Sequence, residues 1–159
     1  MLFKNYQILS HNLKDYIKKL EHYCAYQERC HQEVKTKLFQ LGCRGNEIEE
    51  VIFHLISQNY LNEQRFANLY AISKFNQKEW GKYRIEQQLK AKGLLDKTIE
   101  GALNQINNQT YLNTFNKLTK NFWEENKSLS LLPRKKKTYD QLVYKGYELE
   151  LINQFLEKY

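Results

Sequence analysis

Proline occurs once in this chain of 159 residues, at Pro133, and glycine only six times. A β-sandwich or barrel turns its chain every few residues and draws heavily on turn-forming residues. Their scarcity excludes that class, and the abundance of Leu, Lys, Glu and Gln favours helix. Cysteine is also sparse. Cys24, Cys30 and Cys43 are odd in number and lack the spacing of a disulfide framework, which implies reduced thiols in a cytoplasmic protein. The longest uncharged stretches are too short and too polar to span a membrane, so no membrane partner is expected. Lys14, Asp15 and Lys18 interrupt any reading of the N-terminal segment as a signal peptide.

The chain also lacks the signatures of catalysis. It has no Gly-x-x-x-x-Gly-Lys-Ser/Thr loop, no Gly-x-Gly-x-x-Gly and no His-Glu-x-x-His. Glu28 and His31 stand at the Glu-x-x-His spacing of di-iron bundles, but the second such pair and the two further glutamates are not evident. Glu50 and His54 share a helical face and read as a solvated pair. Cys24 and Cys30 do not have zinc-site spacing. The expectation is a protein without catalytic residues, metal or cofactor.

What is present is positive charge and a repeat. The formal net charge is +7. Residues 1–61 hold 8 Lys/Arg against 7 Asp/Glu, residues 62–111 hold 8 against 5, and residues 112–159 hold 9 against 6, so the excess lies in the last two thirds. Such a balance suits an anionic partner. The repeat is marked by Gly42, Gly93 and Gly146. Four residues before each stands a leucine: Leu38, Leu89 and Leu142. Six residues after comes Ile48, Ile99 or Ile152, and apolar residues recur nine, ten and thirteen residues after each glycine.

This pattern describes a helix that buries its leucine and stops at a left-handed glycine. A short turn and a second amphipathic helix follow. A further helical segment precedes each pair, at 12–27, 62–76 and 112–127. The predicted fold is all-α: an elongated array of three tandem three-helix repeats, divided 1–61, 62–111 and 112–159.

By the same count, Trp80-Gly81 is equivalent to Arg29-Cys30 and Pro133-Arg134, the joint between the first and second helices of a repeat. Gly81 reads as a relaxed turn at that joint. Trp80 reads as a packing residue, with ligand contact the alternative. Lys78, Lys82 and Arg84 surround the second joint and Arg134, Lys135, Lys136 and Lys137 the third. Cations at a helix start oppose the helix dipole. One reason to keep them is an anion on which lysines and backbone N–H groups converge. The other is a solvated face.

The segment "YLNEQRFANLYAISKFNQKEWGKYRIEQQLKAKGL" (60–94) resembles the RecX family. Arg65, Phe66, Ala67, Tyr70, Lys78, Trp80, Gly81, Arg84, Ile85, Leu89, Lys92 and Gly93 stand at the matching positions. "YCAYQERCHQEVKTKLFQLG" (23–42) and "RKKKTYDQLVYKGYELELINQFL" (134–156) are similar to the family's first and closing units. Asn62 departs from an acid usual at that position, leaving its capping or partner role to Asn62 or Glu63. The first helix of the third repeat matches weakly.

The resemblance implies a small, non-enzymatic helical-repeat protein that binds the RecA recombinase filament on single-stranded DNA. It implies restraint of recombinase, ATPase and strand-exchange activity in DNA repair and the SOS response. The implied partner- or DNA-binding residues are Arg65, Lys78, Trp80, Lys82, Arg84, Lys92, Arg134, Lys135, Lys136 and Lys137, on a protein expected to be a monomer. Two alternatives stand beside it: a stand-alone basic nucleic-acid-binding helical-repeat protein, and a neutral helical scaffold.

Overall fold

A computed structural model describes the backbone of residues 2–159 and the side chains from residue 12 onward. Every element among the described residues is helical: α1 (Leu2–Tyr26), α2 (His31–Gln40), α3 (Asn46–Ser57), α4 (Glu63–Lys78), α5 (Lys82–Ala91), α6 (Asp96–Leu103), α7 (Asn108–Glu125), α8 (Leu131–Lys145) and α9 (Leu149–Leu156). They follow one another as three tandem three-helix repeats. The chain forms two compact units, residues 1–66 and 67–159.

The Leu-x-x-x-Gly signature is explained by how α2, α5 and α8 end. Gly42, Gly93 and Gly146 have φ of 88°, 80° and 88°, a region closed to most side chains. The reversal brings the next N–H back onto the leucine carbonyl. Cys43 donates to Leu38 O at 3.0 Å, Leu94 to Leu89 O at 3.3 Å and Tyr147 to Leu142 O at 3.2 Å. This is the six-to-one bond of a Schellman cap, and the residue after each glycine packs inward beside the leucine. Leu38, Leu89 and Leu142 are fully buried, as are Cys43, Leu94 and Tyr147 to within a few per cent. Burying each leucine contributes about 1.5–3 kcal/mol.

In the first unit, α1 lays Leu13, Tyr16, Ile17, Leu20 and Cys24 along one face, at helical spacing. They pack on Val34 and Leu38 of α2 and on Ile48, Val51, Ile52 and Leu55 of α3. In the second unit Ile85 and Leu89 of α5, Ile99 and Ala102 of α6, Leu142 of α8, and Ile152 and Phe155 of α9 are buried. Aromatic rings complete this core. Tyr111 lies 5.7 Å from Phe75 and 5.3 Å from Tyr147, Phe115 lies 5.3 Å from Tyr147, and Trp123 stacks on Tyr159 at 4.2 Å.

Two sequence-based expectations change. The third joint is not at Pro133-Arg134: the N-cap of α8 is Ser130, four residues earlier. Proline is tolerated there because first-turn N–H groups have no helical acceptor, so Pro133 marks the first turn without fixing its first residue. His54 does not pair with Glu50; its Nε2 meets Glu21 Oε1 of α1 at 2.7 Å.

Candidate binding surface

The start of α5 carries the densest group of sequence-predicted residues, and it is closed. Gly81 N–H donates to Lys145 O at 2.8 Å, Tyr83 N–H to Gly146 O at 3.1 Å, and Lys82 N–H to the Tyr111 hydroxyl at 3.1 Å. That hydroxyl donates in turn to Glu148 Oε2 at 2.6 Å. Carbonyls at the end of α8 thus meet N–H groups at the start of α5, so the negative end of one helix faces the positive end of the other. The N–H groups of Gly81, Lys82 and Tyr83 are therefore taken within the chain and are not offered to an anion at this joint.

The need for Gly81 is also different from a relaxed turn. Its φ of −71° suits any residue, but an added Cβ would lie 2.1 Å from Gly146 O. Glycine is required because two backbones touch. The start of α2 is closed too, by carboxylates: Cys30 N–H donates to Glu33 Oε2 and His31 N–H to Glu63 Oε1, both at 3.3 Å.

Most of the predicted cations are held by contacts within the chain. The Arg84 guanidinium sits between two rings, 4.3 Å from the centre of Trp80 and 4.5 Å from that of Tyr144, and donates to Tyr144 O at 2.8 Å. Lys74 Nζ lies 5.5 Å from the Trp80 ring centre, extending the column. Lys82 lies over Tyr111 at 4.9 Å and bonds Asn108 Oδ1 at 3.2 Å. Lys92 lies 5.8 Å from the Tyr70 ring centre. Arg134 lies 3.9 Å over Trp123, and its Nε donates to Trp123 O at 2.9 Å. Arg65 pairs with Glu28 and bonds Asn59. Trp80 is a half-buried packing residue of the surface rather than of the core.

Three of the four remaining predicted residues are exposed. Lys78 and Lys137 are exposed, Lys135 is half-buried, and Lys136 is exposed in an i,i+4 pair with Asp140 at 2.8 Å. The second-repeat cluster, at the C-terminal end of α8, and Lys135–Lys137 are separated by about ten residues of helix, or about 15 Å. They do not form one pocket.

Sequence reasoning missed Tyr144, Lys74 and Lys145, whose Nζ donates to Lys78 O at 2.9 Å, because their placement depends on tertiary packing. It also missed Glu79, a non-glycine residue at φ 53° that ends α4. Its carbonyl accepts from the Tyr147 hydroxyl and its carboxylate from Lys117. In the first unit it missed an open cleft of about 680 Å³ between α1 and α2, lined by Asp15, Lys18, Lys19, His22, Tyr23, Tyr26, Lys37 and Leu41.

The thiols and phenols are tuned for structure. Burial pushes the Cys24 thiol up to about 11 and raises that of Cys43, so both stay protonated and poorly nucleophilic. Burial likewise raises Tyr111, helped by its bond to Glu148, and Tyr147. Among the described residues no three His, Cys, Asp or Glu side chains gather as a metal site. Glu28 and His31 are taken by Arg65 and Glu63. The Asn62 carboxamide accepts from Arg65 N–H at 2.9 Å, so Asn62 caps α4 while Glu63 serves α2. No helix among the described residues is long and apolar enough to cross a membrane.

Residues 62–103, which contain α4–α6 and the closed α5 start, match the family model for the second three-helix domain of RecX. The chain is 31% identical over 137 residues to a protein of Halalkalibacterium halodurans named regulatory protein RecX, covering 84% of this chain and 50% of that protein. A protein of the same name from Streptococcus agalactiae is 28% identical over 137 residues, covering 86% and 52%. The chain thus spans about half the length of the curated relatives it matches. A crystal structure of RecX from Lactobacillus salivarius superposes with a TM-score of 0.84 at 23% identity, over 94% of this chain and 97% of that one. A second RecX crystal structure gives 0.85 at 19%, over 96% and 76%.

Proposed function

We propose that this chain is a member of the RecX family, a reading supported by the family-model match and the similar relatives, and that it regulates a RecA-type recombinase by binding its filament on single-stranded DNA. The observation that carries the reading is the match over 62–103, which takes in the α4–α5 joint with Trp80, Lys82 and Arg84. In this reading the protein restrains ATPase and strand exchange in DNA repair and the SOS response. It is a cytoplasmic, non-enzymatic monomer whose modules are 1–61, 62–111 and 112–159. Its affinity is electrostatic in part, because a chain with a formal charge of +7 meets the phosphates and carboxylates of a filament.

The placement of the cations changes which ones carry binding. Arg84, Arg134, Lys82 and Arg65 act first as cement between helices, so their substitution confuses folding with function. Lys78, Lys135 and Lys137 are the residues to reverse. The experiment is the single-strand-dependent ATPase rate of RecA with increasing amounts of this protein. The parent is expected to lower the rate. Lys78→Glu/Lys135→Glu/Lys137→Glu is expected to keep its melting temperature and lose most of the inhibition, and raised salt is expected to weaken the parent in the same direction. A parent without effect on RecA at low salt refutes the proposal.

A second reading, direct binding of single strands, is favoured by the column of Trp80, Arg84 and Tyr144. Tyr144 is 71% exposed and Tyr83 60% exposed beside these cations, a surface on which unpaired bases can stack. Tight, salt-sensitive binding to a bare oligonucleotide without effect on RecA selects it.

A further inference from the structure

Helix α8 carries one turn more than its counterparts. Counted back from the glycine that follows, α2 and α5 each begin eleven residues away and α8 fifteen. The additional turn is Leu131–Arg134. Tertiary packing does not bury it: Leu131 is 50% exposed, Leu132 77% and the preceding Leu129 37%. Yet the turn is anchored. Arg134, its last residue, lies over the ring of buried Trp123 and bonds that residue's carbonyl, while Pro133 fixes one φ angle. The leucines are presented by a preorganised turn. Cations flank them in the sequence, of which Arg134 pairs with Glu124 at 3.4 Å and Lys136 with Asp140 at 2.8 Å. From residue 126 to 139 there is no carboxylate, and Lys127, Arg134, Lys135, Lys136 and Lys137 fall within that span.

We propose that this leucine tip is a protein-docking surface, matched to a partner pocket that is apolar at its centre and rimmed by carboxylates. It rests on the regulator reading and identifies one contact with the recombinase filament. An apolar centre within a charged rim is the usual division of labour at protein interfaces. Leucine side chains offer nothing to a phosphate, so a nucleic-acid contact accounts for the lysines and leaves the leucines unexplained. An interfacial membrane helix carries its apolar face along its length. Here the next two turns expose Lys136, Lys137 and Asp140.

The test compares the full chain with Leu131→Ser/Leu132→Ser, and with Leu132→Gln as a milder second variant at the more exposed position. Each is measured against RecA filaments on single-stranded DNA, a bare oligonucleotide, and vesicles rich in phosphatidylserine. The expected result is unchanged melting, filament affinity lower by about tenfold or more for the double variant, and unchanged affinity for the bare oligonucleotide. A parent that binds filaments and variants that bind them equally overturn the inference while the regulator reading stands. A parent that does not bind filaments overturns both. Variants that lose vesicle binding but keep filament binding show a lipid contact instead and overturn it as well.

Discussion

Gly93 and Gly146 end their helices with the same backbone conformation and the same bonds, yet they carry different loads. Beyond Gly93 lies open space: nothing stands within 4 Å of where a Cβ would be. At Gly146 that Cβ would lie 2.3 Å from Arg84 Cβ and 2.6 Å from Arg84 N. The first glycine only stops a helix. The second stops a helix and lets its end touch the start of α5, where Gly81 yields from the other side. A local signature, repeated faithfully, thus conceals the seam that joins the second repeat to the third.

Substitutions that add a Cβ on each side of this comparison give the largest contrast. Gly146→Ala and Gly81→Ala are each expected to cost about 3 kcal/mol or more, since backbone atoms must separate. Gly93→Ala is expected to cost about 1–2 kcal/mol, the left-handed penalty alone. Urea denaturation of the three variants reads the difference directly, and equal losses deny the seam.

Tyr111→Phe is next. It leaves the Lys82 N–H and the Glu148 carboxylate without their shared partner, at about 2 kcal/mol. The same residue sets an alkaline limit. Its folded pKa is raised, as is that of Tyr147, so their contribution is complete below the unfolded tyrosine value of about 10 and is lost as pH rises beyond it. Melting temperatures measured from pH 9 to pH 11 are expected to fall, less steeply for Tyr111→Phe than for the parent. The smallest effect is expected from Arg84→Lys, which keeps the charge but loses the planar stack between Trp80 and Tyr144, about 0.5–1 kcal/mol. A parent-like melting curve for that variant reduces the column to coincidence.

The ends of α2, α5 and α8 were legible in the sequence because a Schellman cap is built from six consecutive residues. The apolar stripes of α3, α6 and α9 were legible for the same reason: period and phase are local. The start of α8 was not, because Pro133 is acceptable at several places in a first turn, and only the anchoring of Arg134 on Trp123 reveals the preceding turn. The seam was out of reach, since Gly81 and Gly146 are 65 positions apart. The intramolecular contacts of the cations were out of reach for a related reason. Charge suggested that Lys82, Arg84 and Arg134 look outward; their contacts with Tyr111, Tyr144 and Trp123 depend on packing between distant segments. Glu28 and His31, spaced as metal ligands, were claimed by Arg65 and Glu63 from a later helix.

Both tryptophans, Trp80 and Trp123, lie in the unit formed by residues 67–159, each beneath an arginine guanidinium. Tryptophan emission therefore watches that unit alone. The residues 1–66 contribute tyrosine and helix but no indole, so their loss of structure is visible to circular dichroism and dark to fluorescence excited at the red edge of tryptophan absorption. Coincident transitions from the two signals define a single cooperative molecule, and separated ones date the unfolding of each unit without a label or a truncation.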